Sequence, residues 1–98
     1  MADLSSSEKL KLEKLFGMGG GYVLDFSNKT FQEFVLENTG YDIENSEFLY
    51  GSGSKANRLR AFWKIIDNYP VGILTIAMLE IWNVNKTNSY TQRAINQQ

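Results

Sequence analysis

From Val71 to Trp82 the chain carries twelve residues whose only polar members are Thr75 and Glu80. A membrane span needs about 20 mostly apolar residues, so this run reads as a buried helix. Val71, Ile73, Leu74, Ile76, Ala77, Met78, Leu79, Ile81 and Trp82 encircle it almost completely, and a helix apolar on every side must be covered on every side. In a chain of 98 residues the cover has to come from short companions. Three of them can close a four-helix cluster. If they fall short, a patch around Met78, Ile81 and Trp82 stays exposed and marks a partner or self-association surface.

The rest of the chain supplies three such companions. Ser5 and Glu8 have the spacing of a capping box, and Leu12, Leu15 and Phe16 form an apolar stripe behind it. Glycines at 17 and 19–21 end that first helix and read as a hinge. Ser27 caps a second helix over roughly 28–38, with Asp25 as the competing cap, striped by Phe31, Phe34 and Val35 and closed by Gly40. Ser54 caps the third, whose core face is Leu59, Phe62, Trp63 and Ile66. Pro70 suits the first position of the fourth. Between the second and third helices, Tyr41, Ile43, Phe48, Leu49 and Tyr50 are too apolar for a free loop, so several are expected to pin it to the core.

The expected fold is therefore all-α: a small, irregular four-helix domain with helix-turn-helix-like packing. At most it adds one short two-stranded ribbon pairing 22–26 with 47–50. Residues 1–84 form this domain. Residues 85–98, rich in Asn, Thr, Gln and Ser, read as a polar tail or linker with weak helix at 91–96.

Composition excludes more chemistry than it suggests. The chain has no Cys and no His, which removes disulfides, Cys/His zinc sites, thiol nucleophiles and histidine bases together. No calcium-loop pattern is present, and no dinucleotide or Walker spacing. Carboxylates such as Asp42 and Glu44 are numerous, but nothing in the sequence buries them. No enzymatic activity, cofactor or metal is expected. The charged first twenty residues leave no room for a signal peptide, and no membrane partner follows from the apolar run, so a cytoplasmic protein is expected.

Charge is segregated although its sum is −1. Residues 25–47 hold six acids against one base, and residues 55–64 hold Lys55, Arg58, Arg60 and Lys64 with no acid. At 100° per residue Asn57, Arg60 and Lys64 share a side of the third helix away from its core face. Two readings stay open: a solvated surface paired to the acidic segment, or an anion-recognition stripe for nucleic acid using Ser54, Lys55, Asn57, Arg58, Arg60 and Lys64. The Gly51-Ser52-Gly53-Ser54-Lys55 turn is foremost a flexible turn with a cap. It also has the physics of a phosphate cradle, which leaves nucleotide sensing as a lesser alternative.

Two blocks carry a family resemblance. Gly20-Gly21-Tyr22-Val23-Leu24-Asp25-Phe26-Ser27-Asn28-Lys29-Thr30-Phe31, together with Tyr50-Gly51-Ser52-Gly53-Ser54-Lys55-Ala56-Asn57-Arg58-Leu59-Arg60-Ala61-Phe62-Trp63-Lys64, resembles the amino-terminal domain of bacterial abortive-infection proteins of the AbiJ type. The resemblance spans roughly residues 5–83. It implies a sensing or regulatory module placed before a larger effector, for which ribonuclease activity is suspected; no catalytic residue is carried over. Tyr22, Asp25, Phe26, Lys55, Asn57, Arg58, Arg60 and Trp63 carry over as surface or scaffold positions, with Phe26 and Trp63 expected in the core. The implied partner is a protein or a fused or neighbouring effector domain, with homo-oligomerisation or nucleic acid as further options. Tyr22, Asp25, Met78 and Trp82 are the candidate partner contacts.

Overall fold

Helix boundaries follow the capping residues. The computed structural model describes the backbone of residues 3–96 and the side chains of residues 3–84. Helix α1 is Ser6–Leu15, α2 is Asn28–Thr39, α3 is Lys55–Ile65 and α4 is Asn68–Asn96. Short 3₁₀ turns occupy Met18–Gly20 and Ser46–Phe48. The Ser5 hydroxyl accepts the Glu8 amide at 3.1 Å while the Glu8 carboxylate accepts the Ser5 amide at 3.1 Å, a reciprocal box. Ser27 makes the same exchange with Thr30. Ser54 caps α3 by accepting the Asn57 amide at 3.2 Å. Gly40 closes α2 in the left-handed conformation.

The core is built from aromatic pairs between elements distant in sequence. Phe48 stands 5.5 Å from Phe62, and Tyr41 meets Phe62 edge-on at 5.7 Å. Phe26 packs on Phe31 and Phe34 at 5.5 and 4.9 Å. Phe16, Met18, Val23, Ile43, Leu59 and Trp63 complete the buried set. Ile43 and Phe48 thus pin the 41–53 loop as its composition predicts, and Trp63 is core. Phe26 is only half-buried, though it packs against the core. Ile66 falls one residue past α3 yet is buried as the helical spacing requires.

Three expectations need correction. No strand exists among the described residues, so 22–26 and 47–50 form no ribbon. Gly21 at φ +88° and Leu24 at φ +48° turn the first segment back on itself. Leu24 donates its amide to the Phe16 carbonyl at 2.8 Å, and Phe26 donates to Val23 at 3.2 Å. The second segment begins inside a 3₁₀ turn. Pro70 is the third residue of α4 rather than the first, still among the positions whose amide has no helical acceptor. Finally, α4 is not covered on all sides.

α2 packs against α4, and Val71, Leu74 and Met78, which share a face of α4 at i, i+3 and i+7, are buried in the core. Met78, at 1% exposure, is core and not a partner contact. Ile76, Val84 and the neighbouring Tyr69 remain exposed, while Ile73, Leu79, Ile81 and Trp82 are half-buried. Three companions of ten to twelve residues are too short to wrap the longer α4. Its helical backbone continues through the polar stretch after 84. The side chains from 85 onward lie outside the described residues; the backbone of the expected tail or linker is helical through Asn96, well beyond the weak helix expected at 91–96. Among the described residues no helix is long and apolar enough to cross a membrane.

Candidate functional site

The basic residues of α3 are the first place to look for a site, and the structure divides them. Arg58 turns toward the loop before its own helix. Its Nε donates to the Gly53 carbonyl at 3.1 Å, its Nη1 donates to the Ile43 carbonyl at 3.2 Å, and Glu44 pairs with it at 3.4 Å. With its side chain only 15% exposed, it fastens the 43–53 loop and offers little to a ligand. Arg60 donates Nη1 to Asn57 Oδ1 at 2.8 Å and bridges to Glu13 of α1 at 3.3 Å. Lys55 reaches Asn28 Oδ1 at 3.3 Å and lies over the Tyr22 ring at 5.3 Å. Lys64 alone of the four is exposed with no ion pair among the described residues.

The Gly-Ser turn is occupied by its own hydrogen bonds. Ser52 Oγ accepts from the Ser54 amide at 3.4 Å and from Asn57 Nδ2 at 3.2 Å. Gly51, at φ +58°, is what lets the Asn57 amide approach: a Cβ there would stand 2.8 Å from Nδ2. At the start of α3 the Ala56 amide donates to the Gly21 carbonyl at 3.1 Å and the Asn57 amide to Ser54 Oγ. Amides that would cradle a phosphate are thus already spent on the fold. Tyr22, 63% exposed, and Asp25, also exposed, sit on the neighbouring 22–25 turn. Trp82 lies half-buried on α4, apart from both.

Among the described residues, a concave feature with contact character lies on the other side of α3. A half-open groove of about 510 Å³ runs between α1 and α3 and is closed by the segment after the second 3₁₀ turn. α1 contributes Lys9 and Glu13, the loop contributes Glu47, Leu49 and Tyr50, and α3 contributes Arg60, Ala61, Trp63, Lys64 and Ile65. Trp63 and Ala61 are buried and form the floor. Leu49 is 60% exposed, Tyr50 57% and Ile65 46%, so an apolar stretch of the wall is open to solvent. The Glu13–Arg60 pair bridges the two helices across it.

Of the candidate binding and contact residues drawn from sequence, only Arg60 and Lys64 line this groove, with Asn57 behind Arg60; Trp63, carried over as a scaffold position, forms its floor. Ser54, Lys55, Arg58, Tyr22 and Asp25 do not line it. Leu49 and Tyr50, named among the residues from which loop anchors were expected, stand exposed in the groove instead, and Ile65 carried no expectation. A signal for them existed: Leu49 and Tyr50 follow a residue that must be core, and Ile65 lies off the Leu59/Phe62/Ile66 stripe. Among the described residues no polar or charged side chain is fully buried, and no three acidic residues gather as a metal site would require.

Comparison with other proteins adds no relative: no family model matches the chain, and no curated protein or solved structure matches it.

Proposed function

We propose that this chain is a non-catalytic contact module, of the regulatory or sensor kind used in bacterial abortive-infection defence, which grips a partner protein in the groove between α1 and α3. The observation that carries this reading is the ring of solvent-open Leu49, Tyr50 and Ile65 above a Trp63 floor. Apolar and aromatic groups clustered in a concave site, with charges at the rim, are what protein interfaces select. The phage-defence setting rests on the resemblance of residues 20–31 and 50–64 to abortive-infection modules, and the cytoplasmic location on the charged residues near the amino end. Nucleic-acid binding through α3 is the weaker reading, because Arg58 faces inward and Arg60 is paired with Glu13.

The test is to titrate the labelled chain with the product of the adjacent gene. Amide shifts should concentrate at Leu49, Tyr50, Trp63 and Ile65, and a Leu49→Asp/Ile65→Asp pair should abolish binding while leaving the helical spectrum intact. Partner binding that survives that double variant, or hydrolysis of RNA or nucleoside triphosphate by the purified chain, would overturn the reading.

A further inference from the structure

The two helical walls of the groove leave their charges unevenly matched. Before α1, Asp3 is hydrogen-bonded to Asn68, which stands three residues beyond the end of α3. In the last turn of α1, Glu13 pairs with Arg60 near the middle of α3. These two ties make α1 and α3 antiparallel. Lys9 lies one turn before Glu13, and Lys64 lies one turn after Arg60. Lys9 and Lys64 thus stand on the two helical walls, both to the same side of the Glu13–Arg60 bridge. Both line the groove, and neither has an ion pair among the described residues.

Two ammonium groups on the walls of one groove, neither ion-paired among the described residues, both favour negative charge placed near them. Glu13 cannot supply it, being committed to Arg60. Glu47 belongs to the third wall and has no ion pair with either lysine. The groove therefore offers an apolar seat with an unanswered positive pair one helical turn from a satisfied one. We infer that its occupant is an acidic peptide segment of a partner protein. An apolar side chain would rest on Trp63 among Leu49, Tyr50 and Ile65, and an Asp or Glu carboxylate nearby would be held between Lys9 and Lys64. This rests on the contact reading above and adds the chemistry of the partner. A nucleic acid fits less well: the walls are aliphatic as much as aromatic, two of the four bases on α3 are ion-paired and a third, Lys55, is hydrogen-bonded to Asn28, and the whole chain carries −1.

The experiment selects binders to the full chain from a library of random linear peptides at low ionic strength. Each selected peptide is then titrated into labelled protein. The expected winners combine Asp or Glu with Leu, Ile, Met or Phe, and shift Lys9, Leu49, Tyr50, Lys64 and Ile65. A Lys9→Glu/Lys64→Glu pair should weaken them by about tenfold or more and favour the same peptides with Lys in place of the acid. A Lys9→Gln/Lys64→Gln pair should give an intermediate loss, which separates lost attraction from a disturbed fold. If Leu49→Asp/Ile65→Asp abolishes binding but neither lysine pair matters, the acidic partner is overturned and the contact reading stands. If neither set of variants matters, both fall. An RNA oligonucleotide that shifts the same resonances and displaces the peptides would overturn the inference in favour of nucleic acid.

Discussion

Arg58 shows how a residue's position can be legible while its task is not. Its place on a capped, basic helix follows from the sequence, and so does the general expectation that the bases meet the acidic middle segment. That it reaches the carbonyls of Ile43 and Gly53 depends on a loop folding back over α3. That return is fixed by Ile43 and Phe48 entering the core, a non-local event. Hydrogen bonds to a charged group contribute about 1.5–3 kcal/mol each, so Arg58→Ala should cost roughly 2–4 kcal/mol in all, allowing for non-additivity. A chemical denaturation midpoint unchanged from the parent would show that the loop is held by its apolar anchors alone. Ser5, Ser27 and Ser54 are the opposite case. Each cap needs only residues within three positions of itself, and each was readable.

At the level of elements, periodicity located four helices because each has a stripe and a cap. It failed at 22–26, where five apolar-rich residues carry no period, and left-handed backbone at Gly21 and Leu24 decides for a turn. It also misjudged α4, since a run apolar on all faces says what should be covered and nothing about the length of the helices available to do it. α1 yields a pH prediction. The backbone amide of Ser5, then its hydroxyl, holds the Glu8 carboxyl below its ordinary value of 4.5. A depressed acid stabilises the folded helix above that ordinary value, and the contribution is lost as pH falls through the lower folded one. Helicity of α1 should therefore decline on acidification below about pH 4.5, and Glu8→Gln should flatten that limb. Circular dichroism of the two proteins against pH measures it, and identical acid limbs would dismiss the box as a contributor.

Across the whole molecule the buried mass is unequally shared. α3 supplies Ala56, Leu59, Ala61, Phe62 and Trp63 to the core, whereas no residue of α1 is fully buried. Leu12 and Leu15 only rest half-covered on it. Regions with few buried contacts open at lower free energy than the core. Amides of α1 should thus exchange with deuterium well before those of α3, in a step that leaves the tail of the distribution untouched. Synchronous exchange of both helices would mean that the domain opens only as a unit. The groove was not visible from sequence for a related reason: it is a gap between elements, and a stripe reports what a helix buries, never what two helices leave between them.

Left-handed Gly17 and Gly21 bracket the junction where α1 joins the body, and the helix is moored at its far end by Asp3 and near this one by Glu13. α1 is on this account an exchangeable cassette. If the cleft seats a peptide as inferred, Lys9 on the helix's inward edge would tune the charge of the guest, so that part of selectivity could be rewritten on ten residues without redesigning the domain.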